Sequence, residues 1–186
     1  MALTVAQIAD LIRRPNADKA AVIERLRAWG DAGLLTPEGD LNPGTGRPRM
    51  YANSVAFDAA ILNALADVGI PIGKQRYFMN VLLCADRAKT VWAKGPHPGL
   101  FLEIADFGEP NPQGGTHAVF LHEGKHKGRL SHLGDLIHPR AEGSFVLNVS
   151  KLFARIEARL AESKKGPPTS AVGKKPRVRE RKKVEA

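Results

Sequence analysis

The chain has 186 residues, with 28 Lys and Arg against 19 Asp and Glu, a formal charge of +9, 43% hydrophobic residues and one cysteine. That length allows one compact domain or two small ones, and the single Cys84 excludes an internal disulfide and a multi-cysteine zinc site. No apolar run approaches the roughly 18 residues of a membrane span, and residues 1–20 lack an apolar block of signal-peptide kind, so no membrane partner is expected and the default compartment is the cytoplasm.

Residues 1–94 are rich in Ala, Leu and Ile at helical spacing, and a break at Gly95-Pro96-His97-Pro98 separates them from a Gly- and Pro-rich stretch. Thr4-Val5-Ala6-Gln7 reads as a capping box. It opens a short helix whose Val5, Ile8, Leu11 and Ile12 make an apolar stripe, stopped by Pro15-Asn16. A second helix is predicted over residues 18–31, with Asp18 as its cap and Val22, Ile23, Leu26 and Trp29 inward. Glu24, Arg25 and Arg27 are expected to face outward. Gly33 is expected to close the helix in the left-handed conformation, after which Leu34-Leu35 folds back on the core and Thr36-Pro37 turns away. Two short helices joined by a brief link make a helix-turn-helix pattern.

The next stretch, residues 39–51, is dense in Gly and Pro and holds Arg47, Arg49 and Tyr51. It reads as a hairpin or wing. Ser54 is the predicted cap of a third helix with Val55, Ile61, Leu62, Leu65 and Val68 inward. Gly69 ends that helix and Pro71 starts a fourth, with Tyr77, Phe78, Val81, Leu82 and Ala85 on one apolar face, extending to about Trp92. Cys84 falls on this helix, where a small buried hydrophobe is expected rather than a redox sensor.

Four blocks within roughly residues 4–80 resemble the winged helix-turn-helix domain of MerR-type transcriptional regulators. They are Leu26-Arg27-Ala28-Trp29, Ala32-Gly33-Leu34-Leu35-Thr36-Pro37, Gly46-Arg47-Pro48-Arg49-Met50-Tyr51 and Leu65-Ala66-Asp67-Val68-Gly69-Ile70-Pro71-Ile72. The resemblance implies a recognition helix in which Arg27 contacts DNA, a wing in which Arg49 does so, and Arg47 and Tyr51 as further wing candidates. It also implies a bacterial homodimer on an inverted repeat. The sequence departs from the family in the longer link of residues 13–19 and in having Ala28-Trp29 where two tyrosines are usual. Independently of any family, arginines on the solvent face of such a helix, here Arg25 and Arg27, can reach guanine edges or phosphates. Arginines at a hairpin tip, here Arg47 and Arg49, would fix register on the backbone more than read sequence.

In the second half, Leu100-Phe101-Leu102-Glu103-Ile104 and the runs of residues 117–122 and 144–149 predict three strands of a small antiparallel sheet, followed by a helix over residues 150–161 with Leu152, Phe153, Ile156 and Leu160 on one face. Inside this part lies His122-Glu123-Gly124-Lys125-His126, which matches the H-E-x-x-H pattern of zinc peptidases, with His132 ten residues after His122 as a third candidate ligand. That chemistry needs both histidines one turn apart on a rigid helix. Gly124, Gly128 and the strand-like lead-in Ala118-Val119-Phe120-Leu121 argue against such a helix, so no metal, no cofactor and no catalytic constellation are expected.

Most of the positive charge sits at the end. In residues 163–186, Lys164, Lys165, Lys174, Lys175, Arg177, Arg179, Arg181, Lys182 and Lys183 face only Glu180 and Glu185, which gives +7 and leaves +2 for everything before. With Gly166, Pro167, Pro168, Gly173 and Pro176 and almost no large apolar side chains, this tail is expected to be disordered and to sit near nucleic acid.

The expected architecture is therefore α+β, in three parts. A winged helix-turn-helix unit with its following helix occupies residues 1–94, a small α+β module residues 95–162 and a basic tail residues 163–186. The expected activity is transcription regulation on double-stranded DNA by a nucleoid-associated homodimer whose C-terminal module meets an unknown effector or protein partner. The alternative is a nucleoid or phage accessory protein that binds DNA with little sequence preference and recruits a partner through that module.

Overall fold

In the computed structural model, residues 2–40, 44, 46–81, 84–95, 99–106, 117–123 and 142–164 are described. A two-residue strand β1 (Leu3–Thr4) leads directly into helix α1 (Val5–Ile12). Both halves of the capping box form: the Gln7 amide donates to Thr4 Oγ1 at 3.3 Å and the Thr4 amide to Gln7 Oε1 at 2.8 Å. Helix α2 (Lys19–Asp31) starts as predicted, with the Ala20 amide donating to the Asp18 carboxylate at 3.0 Å. It ends at Gly33, whose φ of +70° is the left-handed conformation that suits glycine.

After α2 the described part of the predicted hairpin is its base. Glu38 bridges Met50, and β2 (Met50–Tyr51) pairs antiparallel with β1, Leu3 facing Tyr51 and Thr4 facing Met50. The hairpin is thereby stitched to the strand preceding α1. Helix α3 (Val55–Asp67) follows without the predicted cap: the Ser54 side chain makes no capping hydrogen bond, and its backbone is already helical. Val68 is also not inward but 50% exposed, because the helix has ended before it. The fourth predicted helix is described in α4 (Ile72–Val81) and α5 (Cys84–Ala93), with residues 82 and 83 between them outside the described residues.

The second half holds the three expected strands, β3 (Leu100–Asp106), β4 (His117–Glu123) and β5 (Gly143–Asn148), antiparallel in the order β4-β3-β5. Helix α6 (Val149–Lys164) leaves β5 without a loop. Among the described residues the fold is thus α+β, helices with two small antiparallel sheets. Among the described residues no helix is long and apolar enough to cross a membrane. His126, His132 and the tail from residue 165 lie outside the described residues.

One apolar core runs from Leu3 to Ile156. It passes straight through the Gly95 break, because Phe153 of α6 packs edge-on against both Phe57 of α3 and Trp92 of α5, at ring separations of 4.7 and 5.9 Å. Trp92 also donates its Nε1 proton to Glu157 at 2.7 Å. At the other end of α6, Arg159 donates to the carbonyls of Asp10, Leu11 and Arg13 at 3.1, 2.7 and 2.9 Å. A helix leaves its last carbonyls without partners and concentrates negative potential there. Arg159 meets both demands at the end of α1.

Candidate nucleic-acid interface

The candidate site begins with the way α2 distributes its arginines. Val22, Leu26 and Trp29 are buried, and at about 100° per residue Arg25 falls within roughly 60° of Val22 and 40° of Trp29, whereas Arg27 points well away from both. The two arginines therefore do not share a face, contrary to the expectation. Arg25 is half-buried against α3, donating to Asp67 at 2.7 Å and to Asn63 at 3.0 Å. Arg27 is 61% exposed and, among the described residues, pairs only with Glu24 one turn before it, at 2.5 Å. A solvated pair of that kind contributes about 0–1 kcal/mol, so a phosphate or base edge can replace Glu24 at little cost.

Arg27 lines an open groove of about 460 Å³, walled by the start of α1 (Thr4, Val5), by α2 (Ile23, Asp31) and by the hairpin base (Pro48, Arg49). Arg49 donates to Asp31 at 2.7 Å, a contact that raises the guanidinium pKa still further and keeps its charge fixed. Arg47 stands exposed nearer the hairpin tip, and its guanidinium makes no ion pair with any described residue. The groove thus brings Arg27 and Arg49 together from two elements, and Arg47 is not among its lining residues.

Tyr51 is placed otherwise than expected. It is 1% exposed, with its hydroxyl buried beside the Arg49 side chain, so it has no surface to offer a ligand. Its ring belongs to the core that seats the hairpin on α2. Gly30 makes that seating possible: a Cβ there would lie 3.0 Å from the Tyr51 hydroxyl and 3.2 Å from Arg49 Nη1. The same end of α2 is also held by Arg76 of α4, which donates to the Ala32 carbonyl.

Of the histidine motif, His122 and Glu123 lie within the described residues. His122 and Glu123 are residues of strand β4, and a strand cannot present two ligands one helical turn apart. The His122 ring instead meets a residue the sequence reading left without a role: Glu103, fully buried on the central strand, lies 2.8 Å from His122 Nε2 and accepts from Ser144 Oγ at 2.6 Å. The carboxylate sits between serine and histidine, so the three do not make the serine-to-base contact that nucleophilic catalysis requires. The signal that could have identified Glu103 is a lone acid inside the apolar run of residues 100–105. Among the described residues no group of three or more His, Cys, Asp or Glu side chains could hold a metal.

No protein-family model matches the chain, and no curated protein matches it significantly.

Proposed function

We propose that the chain is a DNA-binding transcriptional regulator of MerR-like winged helix-turn-helix type, with α2 in the major groove and the hairpin of residues 38–50 on the flanking backbone. The observation that carries this reading is the convergence of Arg27 from α2 and Arg49 from the hairpin base on one open groove beside the start of α1. Arg27 reads base edges or phosphates, while Arg47 and Arg49 fix register. Arg25 acts as a strut between α2 and α3.

The charge distribution fits this division of labour. Residues 1–76 carry nine basic and eight acidic groups, so they supply geometry rather than a strong field. The nine basic side chains of residues 163–186 supply the salt-dependent attraction. The protein acts as a homodimer, so that two α2 helices meet half-sites on one face of the duplex.

The test is selection of bound sequences from a random duplex library with the full-length chain and with Arg27→Ala. A symmetric motif that Arg27→Ala abolishes is the expected result. Binding to duplex DNA with no enriched motif would instead identify the accessory protein of low sequence preference, and absence of binding would refute both readings.

A further inference from the structure

On the side of α2 opposite the Arg27 groove, the link between α1 and α2, the end of α3 and the start of α6 enclose a recess of about 200 Å³. Three cations line it, Arg14, Lys151 and Arg155, against the single acid Asp67. Asp67 cannot balance them. Its Oδ2 pairs with Arg14 at 3.1 Å and its Oδ1 is taken by Arg25 at 2.7 Å.

Arg155 is the least satisfied of the group. Among the described residues its Nε is buried without a hydrogen-bond partner, and its Nη2 reaches only the Ile12 carbonyl, at 3.4 Å. Burial, followed by repulsion from Arg159 and Arg14, pulls its pKa down. Asn63, 5% exposed, lines the same recess, and its side-chain amide protons have only a long 3.5 Å contact with Asp67. Lys151 is exposed, and its ammonium makes no ion pair with any described residue. A recess with a surplus of two positive charges and a buried amide donor short of an acceptor lacks one component, an anion.

We propose that this recess is a binding site for a small polyvalent oxyanion, a phosphate-type or short polycarboxylate ligand, held by Arg14, Lys151 and Arg155 with the Asn63 amide donating. Guanidinium groups present paired N–H donors that match the oxygens of phosphate and carboxylate alike, which a single ammonium does not. Two negative charges neutralise the surplus, whereas a monovalent anion leaves half of it. The recess is distinct from the groove of the preceding subsection, and the claim stands whether or not the chain binds DNA.

The test titrates pyrophosphate and citrate separately into the full-length chain by calorimetry, at constant ionic strength, with sodium chloride as control and the Asn63 side-chain amide followed by ¹H–¹⁵N NMR. Saturable one-to-one binding of at least one of the two, with a shift of the Asn63 amide signals, is expected. Lys151→Ala should weaken it by at least about tenfold, the size of one charge-assisted hydrogen bond, and Arg14→Ala/Lys151→Ala further. If Arg14→Ala does not fold, Lys151→Ala alone decides. Failure of both anions to bind saturably, or affinity unchanged in Lys151→Ala as when the basic tail takes the anion, overturns the proposal.

Discussion

Gly30 offers a decisive probe of how the hairpin is seated on α2. It lies inside a helix, where alanine is favoured by about 1 kcal/mol, yet the added methyl carbon would stand 3.0 Å from the buried Tyr51 hydroxyl. Overpacking a rigid core position costs about 1–3 kcal/mol, and the Tyr51 ring, 1% exposed, has little room to yield. Gly30→Ala is therefore expected to destabilise the chain by about 1 kcal/mol, or roughly 2–4 °C in Tm for a protein of this size. In the Tyr51→Phe background the obstructing oxygen is gone, and the same substitution should become neutral or stabilising by up to about 1 kcal/mol. Urea denaturation of the four proteins gives the coupling between the positions, expected at about 1–2 kcal/mol. Contacting residues couple in this way, while independent ones add within about 0.3–0.5 kcal/mol. An equal effect of Gly30→Ala in both backgrounds would refute the account of the hairpin contact.

Other consequences can be measured separately. Lys89 bridges Asp86 at 2.7 Å and Asp58 at 3.0 Å, and the Asp58 pKa is already raised, chiefly by burial, with Lys89 opposing the rise. Lys89→Met removes that opposition, so the folded state holds a proton that the unfolded chain has lost. Stability is then retained below the unfolded carboxylate range and lost as pH rises through the folded pKa, so the deficit, about 1–3 kcal/mol, should be larger at pH 8 than at pH 5 in thermal melts. Arg159→Ala strips the end of α1 of its three-carbonyl partner and is expected to cost about 1–3 kcal/mol, read as a lower urea midpoint with an unchanged slope. Under the proposed function, removing residues 165–186 should flatten the dependence of DNA affinity on salt, and an unchanged slope would remove the tail from the interaction.

What the sequence makes legible here is local chemistry. The Thr4 capping box, the Asp18 cap and the left-handed Gly33 each depend on residues within a turn of one another, and all three form. The three strands are equally readable, since apolar runs bounded by turn residues leave little choice. Ser54 shows the limit: a residue type suited to capping does not cap when the preceding turn has already set its backbone. The resemblance implies Tyr51 on the wing, and the helical pattern an outward-facing Arg25. Pairing of Tyr51 with the buried Leu3, and the position of Arg25 between Val22 and Trp29, decide otherwise. The Arg159 clamp and the recess around Arg155 join residues some 140 positions apart, and no periodicity reports such contacts.

That clamp has a consequence in time as well as in space. Helix α1 precedes α6 in the chain by some 140 residues and α6 is the last helix described, yet Arg159 closes the end of α1 and Phe153 covers Phe57. During synthesis the core around α1 and α3 therefore stays open until α6 emerges, and the closing contacts carry the entropy of a very long loop. Refolding from denaturant should share this order, with the α6 contacts formed late. A fragment ending before α6 would carry an incomplete core rather than an independent unit.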